Sequence, residues 1–196
     1  MKFIVATKNK NKLSEIKEIL REFPFEVVSM QETGIEDEIE ETAETFEGNA
    51  LIKARSIYKK TGGYVMADDS GLCIDSLGGA PGIYSARFAG EDADYITKIN
   101  LIWDMMKKSG SENRSARFVC AIALIMPDGK EFTLRGECEG IIHDKIQGNN
   151  GFGYDPVFYI PELGMTTAQL PPEEKNKISH RGKALEKMIA LLKTIG

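Results

Sequence analysis

Tyr64-Val65-Met66-Ala67-Asp68-Asp69-Ser70-Gly71-Leu72-Cys73-Ile74-Asp75 is the stretch on which the architecture turns. Residues 64–67 form a short apolar run that reads as a buried strand delivering Asp68 and Asp69 at its end, and residues 72–75 can form another. Asp, Ser and Gly are ordinary turn formers, so Asp68-Asp69-Ser70-Gly71 reads equally as a turn or as a ligand site beyond the carboxyl end of a strand. Adjacent carboxylates repel, and a divalent cation relieves that repulsion. Mg²⁺ takes one or two protein carboxylates, waters and substrate phosphate oxygens.

On either side of this stretch, helical and strand periods alternate. Residues 3–6 are a short apolar strand, and Leu13, Ile16 and Leu20 then recur at helical spacing. Residues 25–30 read as a second strand. Phe46, Ala50, Ala54, Ile57 and Tyr58 mark one face of a second helix, and Tyr95, Ile99, Ile102 and Met106 a third. Residues 118–126 are the longest apolar run; the turn Pro127-Asp128-Gly129-Lys130 and the alternation after it predict an antiparallel hairpin. Residues 157–160 are apolar, and a last helix turns Leu185, Met188, Ile189 and Leu192 inward, with Ser179 as its N-cap. The expected fold is α/β: a mixed sheet flanked by helices, in one domain spanning residues 1–196.

Composition narrows the function classes. The 196 residues carry 30 acidic and 25 basic side chains, a formal charge of −5, which disfavours a large nucleic-acid surface. No stretch approaches the ~18 consecutive apolar residues of a membrane helix. The N-terminus turns polar at Thr7, before a signal-peptide apolar region could form. Cys73, Cys120 and Cys138 are an odd, widely spaced set that fits a reducing cytoplasm.

Several segments could carry chemistry. Thr7-Lys8-Asn9-Lys10-Asn11-Lys12 lies between a strand and a helix, where free helix amides and ammonium groups make a phosphate cradle; a solvated basic loop is the plainer alternative. A Walker A pattern is absent. Residues 36–47 hold seven acids and no base. Most of these belong to a solvated face, while Glu40 and Glu41 could add Mg²⁺ ligands. Gly151-Phe152-Gly153-Tyr154-Asp155-Pro156 combines close backbone approach with aromatic faces that stack on a base or plug the core. Ser179-His180-Arg181-Gly182 sets hydrogen-bond donors at a helix start, for carbonyl or phosphate oxygens or for solvent. Together these segments describe a Mg²⁺-dependent enzyme acting on a nucleoside polyphosphate. A phosphatase removing only the terminal phosphate and a nucleotide sensor without turnover are the alternatives.

Six ordered motifs carry a resemblance. They are Thr7-Lys8-Asn9 with Lys12; Glu40-Glu41 with Thr45-Phe46 and Asn49-Ala50; Ala67-Asp68-Asp69-Ser70-Gly71-Leu72; the run from Leu77-Gly78-Gly79 to Ala86-Arg87; Gly151-Phe152-Gly153-Tyr154-Asp155-Pro156; and Lys175 with Ile178-Ser179-His180-Arg181-Gly182. The chain resembles the inosine/xanthosine triphosphate pyrophosphatase (Ham1-like) family from its first strand to its last helix. The resemblance implies hydrolysis of dITP, ITP, XTP and dXTP to monophosphate and pyrophosphate, Mg²⁺ dependence, a homodimer, and an elongated mixed sheet with lobes around a nucleotide cleft. It implies that Thr7, Lys8, Asn9, Lys10, Asn11 and Lys12 bind triphosphate, assisted by Lys53. Glu40 or Glu41, with Asp69, would hold Mg²⁺, and Asp69 would also accept a proton. Ser70, Phe152, Gly153, Tyr154, Asp155, Lys175, His180 and Arg181 would contact the nucleotide. Two departures stand out: Lys8 and Lys10 make the first loop unusually basic, and Asn149-Asn150 replaces small residues.

Overall fold

The computed structural model describes residues 2–90 and 92–195. Seven strands pair in the order β2-β1-β3-β4-β5-β6-β7. They are β1 (Lys2–Val5), β2 (Glu26–Ser29), β3 (Tyr64–Ile74), β4 (Ser115–Ile125), β5 (Glu131–Ile142), β6 (Phe158–Ile160) and β7 (Met165–Thr166). The helices are α1 (Lys10–Ile19), α2 (Phe46–Thr61), α3 (Tyr95–Ser109), α4 (Pro172–Ile178) and α5 (His180–Ile195). β1 pairs in parallel with β2 and β3, whereas β6 is antiparallel to β5 and β7, so the sheet is mixed as its sequence predicts. Among the described residues no helix is long and apolar enough to cross a membrane.

The chain forms two compact units. The first comprises Met1–Asp69, Cys120–Gly136 and His180–Gly196; the second comprises Ser70–Val119 and Glu137–Ser179. In the first unit, the period-two alternation of the strands divides the core in two. Phe3, Val5, Met66, Cys120, Ile122 and Leu124 pack with Ile16 and Leu20 of α1 and with Ala184, Leu185 and Met188 of α5. Ile4, Val65, Ala67, Ala123 and Ile125 pack with Ala50, Ala54 and Ile57 of α2. Each large aliphatic chain so buried contributes about 1.5–3 kcal/mol. Gly136 admits α5 closely: a Cβ there would lie 2.5 Å from the Ala184 nitrogen and closer still to the His180 carbonyl. The second unit has its own core, where Leu72, Ile74, Phe118 and Ile142 meet Ile99, Ile102 and Met106 of α3, and Phe158 of β6.

One local expectation changes, and one helix was not anticipated. Residues 64–74 are one continuous strand rather than two strands about a turn, so Asp68 and Asp69 sit within β3 instead of at its end. The helix α4 lacks a long apolar stripe to reveal it. Its sequence signals are Pro172 in the first turn, Glu173 and Glu174 beside it, and Lys175 and Lys177 in the last turn, an arrangement that complements the helix dipole.

Candidate active site

β3 explains the placement of the acids. Successive strand residues point to opposite faces, so Asp68 shares the parity of Met66 and faces the α1/α5 layer, while Asp69 shares that of Val65 and Ala67 and faces α2. Two carboxylates adjacent in sequence therefore meet different partners, and their expected mutual repulsion is not what organises the site.

On the α1/α5 face, Lys12 Nζ lies 3.0 Å from Asp68 Oδ2, and Arg181 Nη2 lies 3.2 Å from the same oxygen. Arg181 Nη1 also pairs with Glu15. Burial pushes the Asp68 carboxyl up in pKa, but the charges of Lys12, Arg181 and Lys53 outweigh it and hold Asp68 well below the usual carboxylate range. Arg181 is buried despite its charge because two carboxylates receive its guanidinium fork.

On the α2 face, Lys53 Nζ lies 2.5 Å from Glu41 Oε1 and 3.6 Å from Asp69 Oδ1. Asn49 Nδ2 donates to Asp69 Oδ2 at 3.2 Å. Burial raises the Asp69 pKa and Glu41 adds to the rise, against the pull of Lys53 and Lys12. Burial opposes the charge of Lys53, but three carboxylates (Asp69, Asp68 and Glu41) raise its pKa and keep it cationic. Glu41 is thus in the cluster, whereas its neighbour Glu40 is exposed. Asp69 and Glu41 present hard oxygen donors around one cation, a donor set that fits Mg²⁺ held by two carboxylates together with substrate oxygens.

The first loop partly satisfies itself. Asn9 caps α1, its Oδ1 accepting from the Asn11 and Lys12 amides at 3.0 and 3.1 Å, and the Asn9 amide donates to Thr7 Oγ1 at 3.1 Å. The Asn11 and Lys12 amides, expected free, are therefore capped. Lys8, Lys10 and Asn11 are exposed, with Lys8 Nζ 3.9 Å from Glu38. His180 is buried at the start of α5.

The second unit gathers the remaining sequence candidates. Asp155 accepts from the Phe152 amide at 2.9 Å, Lys175 Nζ at 2.6 Å and Thr167 Oγ1 at 2.8 Å. Gly151, at φ +73°, has no room for a side chain, since a Cβ would meet the Asp155 carboxylate and Lys175 Nζ. Lys175 Nζ lies 5.2 Å from the Phe152 ring centroid. Tyr154 is buried; its hydroxyl donates to the Ser85 carbonyl at 2.8 Å and its ring meets Tyr95 edge-on. Phe152 and Gly153 are half-buried, as is Ser70 on β3, so Phe152 rather than Tyr154 offers an aromatic face. The sequence reading gave no role to Asn49, Glu15 or Thr167. Asn49 stood inside a quoted motif, but nothing local signals the partners of the other two.

Residues 3–191 match the model of the Ham1 family. The chain is 52% identical over 189 residues to the dITP/XTP pyrophosphatase of Caldanaerobacter subterraneus subsp. tengcongensis, covering 96% of this chain and 94% of that protein. It is 48% identical to the dITP/XTP pyrophosphatase of Bacillus licheniformis, covering 96% of each. The solved HAM1 protein of Coxiella burnetii superposes with a TM-score of 0.91 at 41% identity, covering 99% of each chain. The Staphylococcus aureus Ham1 protein gives 0.89 at 38% identity over 100% of both. With the family model spanning nearly its whole length and the fold matching solved members, the chain belongs to the Ham1 family.

Proposed function

We propose that this protein is a Mg²⁺-dependent nucleoside-triphosphate pyrophosphatase that hydrolyses non-standard purine triphosphates (dITP and ITP, XTP and dXTP) to the monophosphate and pyrophosphate. The names of its relatives support the substrate class. The observation that carries the chemistry is the cluster in which Asp69 and Glu41 share the ammonium of Lys53.

Asp69, raised in pKa by burial, is a base that takes a proton from water attacking the α-phosphorus. Lys53, with Lys12, meets charge developing on the departing pyrophosphate. Glu41 and Asp69 would hold Mg²⁺, which supplies charge neutralisation on the triphosphate when bound. Asp68 and Arg181 act as supports beneath Lys12 rather than as contacts to the reacting atoms. In the second unit, Asp155 and Lys175 hold the loop that carries Phe152, whose half-buried ring is of the kind that stacks on a base. A site that offers a hydrogen-bond donor to the purine 6-position favours a 6-keto base over adenine, whose amino group would oppose that donor. A homodimer and a cytoplasmic location complete the proposal.

Incubation with MgCl₂ and a panel of ITP, dITP, XTP, ATP and GTP tests it. Pyrophosphate with monophosphate, strongest for the deaminated purines, is expected. Orthophosphate with IDP, or no product, overturns it. Asp69→Asn should nearly abolish turnover while nucleotide binding survives.

A further inference from the structure

Asn49 is fully buried in the first turns of α2, yet its side chain bonds to two different parts of the first unit. Its Oδ1 accepts from the Ala43 amide at 2.9 Å, and its Nδ2 donates to Asp69 Oδ2 at 3.2 Å. The Ala43 N–H requires an acceptor, which fixes the amide orientation and leaves the NH₂ to face the carboxylate. The segment it grips is tightly seated: a Cβ on Gly48 would fall 2.5 Å from Ala43 Cβ. Two residues before Ala43 stands Glu41, whose carboxylate reaches the same Lys53 ammonium as Asp69. One carboxamide thus ties the irregular segment bearing Glu41 to the strand bearing Asp69.

We propose that Asn49 is a positioning residue that sets the separation and orientation of the Glu41 and Asp69 carboxylates. By donating to Oδ2, it turns Oδ1 of Asp69 toward Lys53; by holding Ala43, it keeps Glu41 beside them. This rests on the pyrophosphatase reading for its consequence in turnover. Its consequence for cation binding can be measured without substrate. Groups that orient such ligands commonly matter ~10–100-fold in metal affinity or activity.

The test compares wild type with Asn49→Ala and Asn49→Asp. Mn²⁺ binding to nucleotide-free protein is followed by electron paramagnetic resonance, and kcat and KM are measured with ITP and MgCl₂. Asn49→Ala should weaken Mn²⁺ binding about tenfold and lower kcat ~10–100-fold, with KM changed less than about threefold, because Asn49 is fully buried and acts through Asp69. Asn49→Asp keeps the size and the acceptor for Ala43 but loses the donor to Asp69, and should lose kcat comparably. It also carries the test if the alanine variant does not fold. Wild-type Mn²⁺ affinity in Asn49→Ala, or wild-type kcat in Asn49→Asp, overturns the proposal, the latter because Asn49 would then merely brace Ala43. If wild type releases no pyrophosphate, the functional reading fails by itself, and the Mn²⁺ comparison still decides the role of Asn49.

Discussion

Arg181 Nη2 lies 3.2 Å from Asp68 Oδ2, a contact between residues 113 apart in sequence, and both are at most 1% exposed. Lys12 completes the arrangement at 3.0 Å from the same oxygen. Without these cations a carboxylate at this depth would be protonated or would disrupt the strand. With them it becomes a fixed negative anchor for α1 and α5.

Removing one partner should therefore cost far more than removing the pair. Arg181→Met leaves the buried Asp68 and the half-buried Glu15 with their charge less compensated, at about 3–5 kcal/mol. The double variant Asp68→Asn/Arg181→Met should lose clearly less than the sum of its single variants. Urea denaturation of the four proteins measures this, and strictly additive losses would contradict the anchoring role.

The buried pair of the second unit obeys the same rule. Lys175→Met removes the ammonium 2.6 Å from Asp155 and leaves only the Phe152 amide and the Thr167 hydroxyl among its described donors here. A loss of about 3–5 kcal/mol is expected. A Lys175→Met protein within ~1 kcal/mol of wild type in urea would show that the pair is not structural.

Cys120 provides a pH-dependent test. Burial, reinforced by Asp68, pushes its thiol up to about 12, although Arg181 and Lys12 pull it down. An unfolded-chain thiol ionises near ~8.5, so the native state keeps a proton that the unfolded state gives up. The stability linked to this proton is fully present below pH ~8.5 and is lost as pH rises toward 12. Between pH 8 and 10.5 the thermal midpoint of wild type should fall more steeply than that of Cys120→Ala. Parallel curves would refute the assignment.

Gly136→Ala tests the seat of α5. The added methyl would press on the His180 carbonyl and the Ala184 nitrogen, backbone atoms at the start of the helix that carries Arg181. Overpacking of this kind costs about 1–3 kcal/mol. Differential scanning calorimetry should show a lowered midpoint, and an unchanged one would mean that α5 does not need this close approach.

Local periodicity was sufficient for much of the fold. The apolar runs of residues 3–6 and 118–126 became β1 and β4, and the 3.6-residue stripes became α1, α2, α3 and α5, because burial is encoded within a few neighbours. Asp68-Asp69-Ser70-Gly71 misled for a definable reason. Its composition is that of a turn, and only partners on separate helices, Lys12 with Arg181 and Lys53 with Asn49, make two consecutive buried acids tolerable inside a strand. Tyr154 was similarly opaque, since its sequence neighbourhood does not reveal that its hydroxyl is taken by Ser85.

The residue order by itself determined the alternation of strands and helices, the hairpin and the identity of the acids and lysines available for phosphate chemistry. Only the tertiary structure decided how those groups divide. Strand geometry turns Asp68 and Asp69 to opposite faces, and the two helix layers meeting those faces bring a different set of charges to each. Charge compensation depends on distances of a few ångströms between residues tens to more than a hundred positions apart. Sequence spacing does not contain those distances.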